Sequence, residues 1–153
     1  MNITQAVLSD TAAVRIITAQ TIINVYPKYY PKGAVEFFIR HHNENNIISD
    51  IEKGIVYVLY DNENAVGTVT VRENEICRLF VLPKYQGKGF GGRLLDFAEK
   101  KIAENYRKII IDASLPAKPI YLKRGYTFTE YHTIKTENGD FLCYDVMEKE
   151  INF

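Results

Sequence analysis

At 153 residues the chain is long enough to bury a real core and too short for two ordinary domains, so one domain spanning 1–153 is expected. Its 46% hydrophobic and 25% charged residues are those of a soluble globular chain, and 19 basic residues against 19 acidic ones lack the basic excess of a nucleic-acid binder. No apolar run approaches the roughly 18 residues of a membrane span, and Met1-Asn2-Ile3-Thr4-Gln5 has no signal-peptide character, which points to a cytoplasmic protein with neither nucleic acid nor membrane as partner.

Ile3 to Leu8 predicts a first strand. Ser9-Asp10 is a cap pair ahead of a helix that carries Ala13, Ile16, Ile17 and Ile23 on one face and ends near Pro27. A second helix starts at Lys32, with Val35, Phe38, Ile39 and His42 on one side, and Asn43 to Asn46 reads as a polar connection. The period then changes. Ile55 to Tyr60, Ala65 to Arg72 and Glu75 to Leu82 are strand runs, separated by Asp61 to Asn64 and by Glu73-Asn74, the composition of tight antiparallel turns. Past a glycine-rich stretch, Phe90, Leu94, Leu95, Ala98 and Ile102 form the core-facing stripe of a third helix. Lys108 to Asp112 is a buried-looking strand, and a crossover helix joining it to the strand before makes those two parallel. Pro116 and Pro119 delay the start of a short helix, and Tyr126 to Lys135 and Phe141 to Lys149 form a hairpin around Glu137-Asn138-Gly139. Cys77 and Cys143, far apart and without Cys-x-x-Cys spacing, fit reduced thiols.

The glycine-rich stretch Tyr85-Gln86-Gly87-Lys88-Gly89-Phe90-Gly91-Gly92-Arg93 is an anion-binding turn. Glycines allow left-handed backbone and close approach, and the first turn of the next helix offers unpaired N–H groups to a diphosphate. Lys84, Lys88 and Arg93 strengthen the field. A phosphate loop of the Walker type needs Ser or Thr after its lysine, and Lys88 is followed by Gly89. Gly87, Gly89 and Gly92 match the dinucleotide pattern G-x-G-x-x-G, with Asp112 twenty residues beyond. The context argues against it: Pro83 to Gln86 separate the strand from the first glycine, and one helix-plus-strand pair downstream cannot build a doubly wound sheet.

Two motifs together carry a more specific likeness. Gln86-x-x-Gly89-x-Gly91, preceded by Val81-Leu82-Pro83, and the downstream Ala117-x-x-x-Tyr121-x-Lys123-x-Gly125-Tyr126 resemble the loop and the later helix of the GCN5-related N-acetyltransferases. The resemblance covers roughly residues 2 to 148 and departs at Ser114, where the family commonly has asparagine. It implies an α+β fold, a mixed and mainly antiparallel seven-strand sheet with helices on both faces. It implies acetyl-coenzyme A as acyl donor and no metal. Backbone amides around Leu79, Phe80 and Val81 would hold the pantetheine arm and thioester carbonyl, where strand four splays from strand five. Gln86, Gly87, Lys88, Gly89, Phe90, Gly91, Gly92 and Arg93 would hold the diphosphate, with Ser114 also against the cofactor.

Acyl transfer to an amine requires removal of a proton from an ammonium of pKa near ~10.4. Glu75 falls at the glutamate that the histone-acetylating branch uses as base, although a glutamate at a strand start is also ordinary turn chemistry and other members use water chains. Tyr121 matches the phenol that returns a proton to the departing thiolate. Among eleven tyrosines the surrounding motif singles it out. Tyr26, Tyr29 and Tyr30, set around Pro27 and Pro31, form an aromatic rim for the acceptor, or equally lid packing or a contact in a homodimer. Cys77 lacks a sequence-placed histidine to activate it, which favours direct attack over a covalent route. Adjacent His41 and His42 point to different helix faces and make poor joint metal ligands. The expected partner is a small-molecule amine or amino compound. The alternatives are a protein N-acetyltransferase and a noncatalytic acyl-coenzyme A sensor or partner-binding module.

Overall fold

The computed structural model describes residues 1–152. In chain order the elements are β1 (Asn2–Gln5), α1 (Thr11–Val25), α2 (Lys32–His41), α3 (Glu44–Glu52), β2 (Val56–Asp61), β3 (Asn64–Arg72), β4 (Glu75–Val81), α4 (Phe90–Ala103), β5 (Lys108–Ala113), α5 (Lys118–Lys123), β6 (Thr127–Lys135) and β7 (Phe141–Glu150). The strands form one seven-stranded sheet in the order β1-β2-β3-β4-β5-β7-β6. Only β4 and β5 run parallel, as the crossover through α4 requires. The α+β, mainly antiparallel architecture expected from the sequence is the one observed.

The two faces are covered differently. The α4 stripe is wholly buried, and it packs with Val69, Val71, Ile109, Ile111 and Met147 of the sheet. Gly67 on β3 makes room for it, because a Cβ there would lie 2.8 Å from Leu94 Cδ1. On the opposite face Ile17 and Ile22 of α1 and Ala34 of α2 pack with Phe80, Leu82 and Leu142, and Ile47 and Ile51 of α3 join Val14, Val56 and Val58.

Several elements depart from the sequence reading. The face of α1 is Thr11, Val14, Ile17, Thr18, Thr21 and Ile22, whereas Ile16 and Ile23 are exposed. Two of the buried threonines satisfy their hydroxyls on backbone carbonyls, Thr11 Oγ1 donating to Leu8 O at 2.7 Å and Thr21 Oγ1 to Ile17 O at 2.7 Å and Val81 O at 3.1 Å, whereas the buried Thr18 hydroxyl has no hydrogen-bond partner among the described residues. Asp10 serves the turn before α1, accepting from Val7 N–H at 2.8 Å and from the Tyr60 hydroxyl at 2.6 Å, so it makes no side-chain cap of the helix itself. Asn43 to Asn46 is a helix start: the Asn43 side chain accepts the Asn46 N–H at 2.9 Å and caps α3. Ile39 of the predicted α2 face is exposed, and Gly33 and Ala34 are the buried residues there.

Candidate active site

The parallel pair β4–β5 is joined only at Glu75 with Ile110 and Ile76 with Ile111, and from Cys77 onward the strands part. A β-bulge begins the separation. On the other side of β4, Val71 pairs with Ile76 and Thr70 with Arg78, so Cys77 is the extra residue. Ile76 therefore lies in the core under α4, while Arg78 and Phe80 face the α1–α3 side. The strand end is anchored where the split is widest: Val81 O accepts from Thr21 Oγ1 at 3.1 Å and from Gln86 Nε2 at 3.0 Å.

Three cavities follow one another along this split. A cleft of about 290 Å³ runs from Gly87 and Gly91 past Val81 and Leu79 to Ser114 and Tyr26. Gly87 and Gly89 take φ of 74° and 87°, and a Cβ built on Gly87, Gly89 or Gly92 meets no protein atom within 4 Å. That open concavity faces the N-terminus of α4, whose first donor to reach a backbone acceptor is Arg93 N–H, on Gly89 O at 3.2 Å. Lys84, Lys88 and Arg93 are exposed beside it. Lys84 and Lys88 also sit over the Tyr85 ring, at 5.1 and 5.4 Å from its centroid. Phe90 has a buried side chain, which leaves only its amide for an anion. Gly89→Ala is expected to weaken coenzyme A binding about tenfold by calorimetric titration, because its Cβ would occupy the open side offered to the diphosphate, while the ~1–2 kcal/mol of left-handed strain falls on folding stability. Gly139→Ala is the matched control, since its φ of 86° lies in a distant hairpin; equal affinities in both variants would refute the close-approach argument.

The second cavity, about 180 Å³, shares Leu79, Phe80, Ser114 and Tyr26 with the first. Phe37, Phe38, Tyr144 and Leu142 complete its apolar wall, and Tyr121 also lines it. Tyr121 is almost fully buried, which pushes its phenol pKa far above the ordinary value, with Tyr26 adding in the same direction. Tyr26 is buried, packs edge-on to Phe38 at 4.8 Å, and lines both the cleft and the chamber with Ser114. Tyr30 is buried as well, its hydroxyl accepting the Leu115 N–H at 2.7 Å and fixing the turn before α5. Tyr29 is half exposed and lines none of the three cavities. Of the three rim tyrosines, only Tyr26 lines the cavities.

The third cavity, about 400 Å³, is polar and continuous with the second through His41, His42, Cys77, Arg78 and Asp112. Glu75 lines this one alone. Burial raises the Glu75 pKa, the nearby Asp112 raises it further, and Arg72 opposes both. Asp112 is also raised, mainly by desolvation. Burial pushes the Cys77 thiol up to about 11, so it is protonated near neutrality. Arg78 is buried: its guanidinium donates to Asp50 Oδ2 at 3.2 Å, Thr70 Oγ1 at 2.9 Å and His42 Nδ1 at 3.3 Å. Burial first, and then Arg78, hold the His42 pKa down to about 3, leaving a neutral ring. His41 is exposed and stacked on Phe37.

Asp112, Arg78 and the Phe37–Phe38 pair are the site residues that sequence reasoning passed over. In the sequence Asp112 stands out only by lying twenty residues past the glycine pattern, although its place between buried Ile111 and Ala113 on a strand marks it as facing away from the α4 core. Arg78 carried a signal of its own, a lone charge inside an apolar strand.

A family model described as an acetyltransferase (GNAT) domain matches residues 25–148. The uncharacterized N-acetyltransferase YafP of Escherichia coli (strain K12) is 28% identical over 91 residues, which is 60% of this chain and 58% of that relative's own length. A GCN5-related N-acetyltransferase crystal structure from Rhodopseudomonas palustris, also described as an aminotransferase of class II, has a TM-score of 0.89 at 23% identity, covering 98% of this chain and 95% of that one. The PaiA N-acetyltransferase of Thermoplasma acidophilum in complex with coenzyme A gives 0.76 at 19% identity, with 97% and 98% covered. YncA of Salmonella typhimurium, a putative acetyltransferase solved with acetyl-CoA, gives 0.74 at 19% identity, with 100% and 95% covered. At these identities the structural likeness is one of fold.

Proposed function

Because this chain belongs to the GNAT acetyltransferase family, we propose that it transfers the acetyl group of acetyl-coenzyme A to a small primary amine by direct attack in a ternary complex. The observation that carries this reading is the split between β4 and β5, which joins an anion-binding cleft at α4 to an aromatic chamber and then to a polar cavity. A thioester laid along the split would have its diphosphate on the Gly87–Gly92 amides and its carbonyl beside the β4 backbone at Leu79–Val81. The amides there can hydrogen-bond the oxygen as it gains charge. Two of the comparison structures hold coenzyme A or acetyl-CoA, which supports the same donor here.

The residues divide the proton work. Tyr121 holds a proton at its phenol oxygen for the leaving sulfur, from the wall of the chamber. Glu75 accepts the ammonium proton across the polar cavity, through water, since it does not line the chamber. Its pKa, raised first by burial and then by Asp112, makes it a better base than an ordinary carboxylate. The protonated Cys77 thiol is a poor nucleophile, which argues for direct transfer.

The test is amine-dependent release of free thiol from acetyl-CoA across a panel of small amines and lysine peptides, with the acetylated product identified by mass. Tight coenzyme A binding with no release for any amine would favour the sensor reading. Glu75→Gln is expected to lower kcat/KM about 10²-fold at pH 6 to 7. It should recover toward pH 9 to 10, where solution supplies free amine. A loss constant across pH would remove Glu75 from the base role.

A further inference from the structure

The geometry points to Asp112 as the group that docks the acceptor's ammonium, and to a primary amine on an apolar, ring-sized body as the acceptor class. This rests on the acetyl-transfer reading above and concerns the acceptor half of the same site.

The two acids of the site reach different cavities. Glu75 lines the polar cavity only, whereas Asp112 lines both that cavity and the aromatic chamber, and it is the one carboxylate among the described residues of the chamber wall. Its strand fixes the direction: Ile111 and Ala113 are buried under α4, so Asp112 faces the other side, where it is exposed into the cavities.

The other charge on the chamber wall is already matched. Arg78 is held by Asp50, Thr70 and a neutral His42, and it shares the Asp50 carboxylate with Arg72, so two guanidiniums stand against the three carboxylates of Asp50, Glu75 and Asp112. The charged and titratable groups around Asp112 are Glu75 and Cys77 on β4, Arg72 on β3, Lys53 at the end of α3, His41 on α2, Glu130 and His132 on β6, and Tyr144 on β7. Of the cationic ones, Arg72 is engaged with Asp50 at 3.3 Å, His132 lies against Glu130 at 2.8 Å, His41 stacks on Phe37, and Lys53 is exposed on the polar cavity alone. An ammonium entering the chamber therefore meets an available anion, and a carboxylate-bearing acceptor would meet one of its own sign.

The rest of the wall sets the body of the molecule. Phe37, Phe38, Tyr26, Phe80 and Tyr144 enclose about 180 Å³. An apolar cavity of roughly 150 Å³ holds benzene, so a single ring on a short chain fits and a polyamine leaves the rings uncovered.

The experiment uses 2-phenylethylamine, its neutral analogue 2-phenylethanol, and 1,4-diaminobutane, titrated calorimetrically into the full protein saturated with coenzyme A. Wild type is expected to bind 2-phenylethylamine more tightly than 1,4-diaminobutane. Asp112→Asn should weaken 2-phenylethylamine at least tenfold while leaving 2-phenylethanol unchanged, and should raise KM more than it lowers kcat. Asp112→Glu should restore part of the loss. Unchanged amine affinity in Asp112→Asn overturns the docking role, and 1,4-diaminobutane binding as tightly as the ring amine overturns the acceptor class. Binding is read without turnover, so failure of acetyl transfer itself shows separately, as absent thiol release despite amine affinity.

Discussion

Tyr121→Phe is expected to lower kcat by about 10²- to 10³-fold with coenzyme A affinity unchanged. The ring stays where it is, packed against Tyr126 at 5.6 Å, so the variant removes one oxygen and little else. That oxygen carries a proton at every pH of interest, because near-complete burial disfavours the phenolate. A thiolate leaving beside it is protonated without reorganisation of solvent. The defect should persist at high pH, in contrast to Glu75→Gln, since alkaline solution offers no better acid for sulfur. The measurement is kcat against pH with an amine whose chemical step limits turnover. Wild-type kcat in Tyr121→Phe under those conditions would hand the proton to water.

Asp50→Ala should destabilise the fold by about 3–5 kcal/mol, the loss typical when one partner of a buried pair is removed. Asp50 is buried and accepts from both Arg78 at 3.2 Å and Arg72 at 3.3 Å. Arg72 is half exposed and can return to water, but the Arg78 side chain is only 4% exposed and cannot. Its charge would be left with Thr70 and neutral His42. At roughly 2–4 °C per kcal/mol for a chain of this size, the melting temperature should fall by about 10 °C. Adding Arg78→Met to Asp50→Ala removes the stranded charge and should recover much of the loss. A double variant as unstable as Asp50→Ala would show that packing rather than charge is at stake.

The parts of this molecule that local patterns govern were legible in its sequence. The α4 stripe, the meander turns and the closing hairpin each depend on residues close in sequence. The glycine loop was legible for the same reason, since Gly87 and Gly89 need their left-handed backbone wherever the rest of the chain lies. The outward turn of Ile16 and Ile23 was not, because it depends on Thr18 and Thr21 being accepted against the sheet. The start of α3 was hidden in asparagines that read as a loop, although Ile47 and Ile51 one turn apart followed them. Asp112 and Tyr26 acquire their place at the site from the separation of β4 and β5, a relation between strands more than thirty residues apart.

The extra residue at Cys77 also changes what counts as an equivalent position in related chains. The bulge absorbs the added residue: Val71 still pairs with Ile76 and Thr70 with Arg78, so the faces beyond it keep their assignment. A chain without Cys77 would carry Arg78 directly after Ile76 in plain alternation, with Arg78 still on the α1–α3 side and Val81 still under α4. A relative that lacks the bulge therefore aligns only with a gap at Cys77. An alignment of relatives that slips by a single residue here would pair core positions with cavity positions while every individual match still looked conservative.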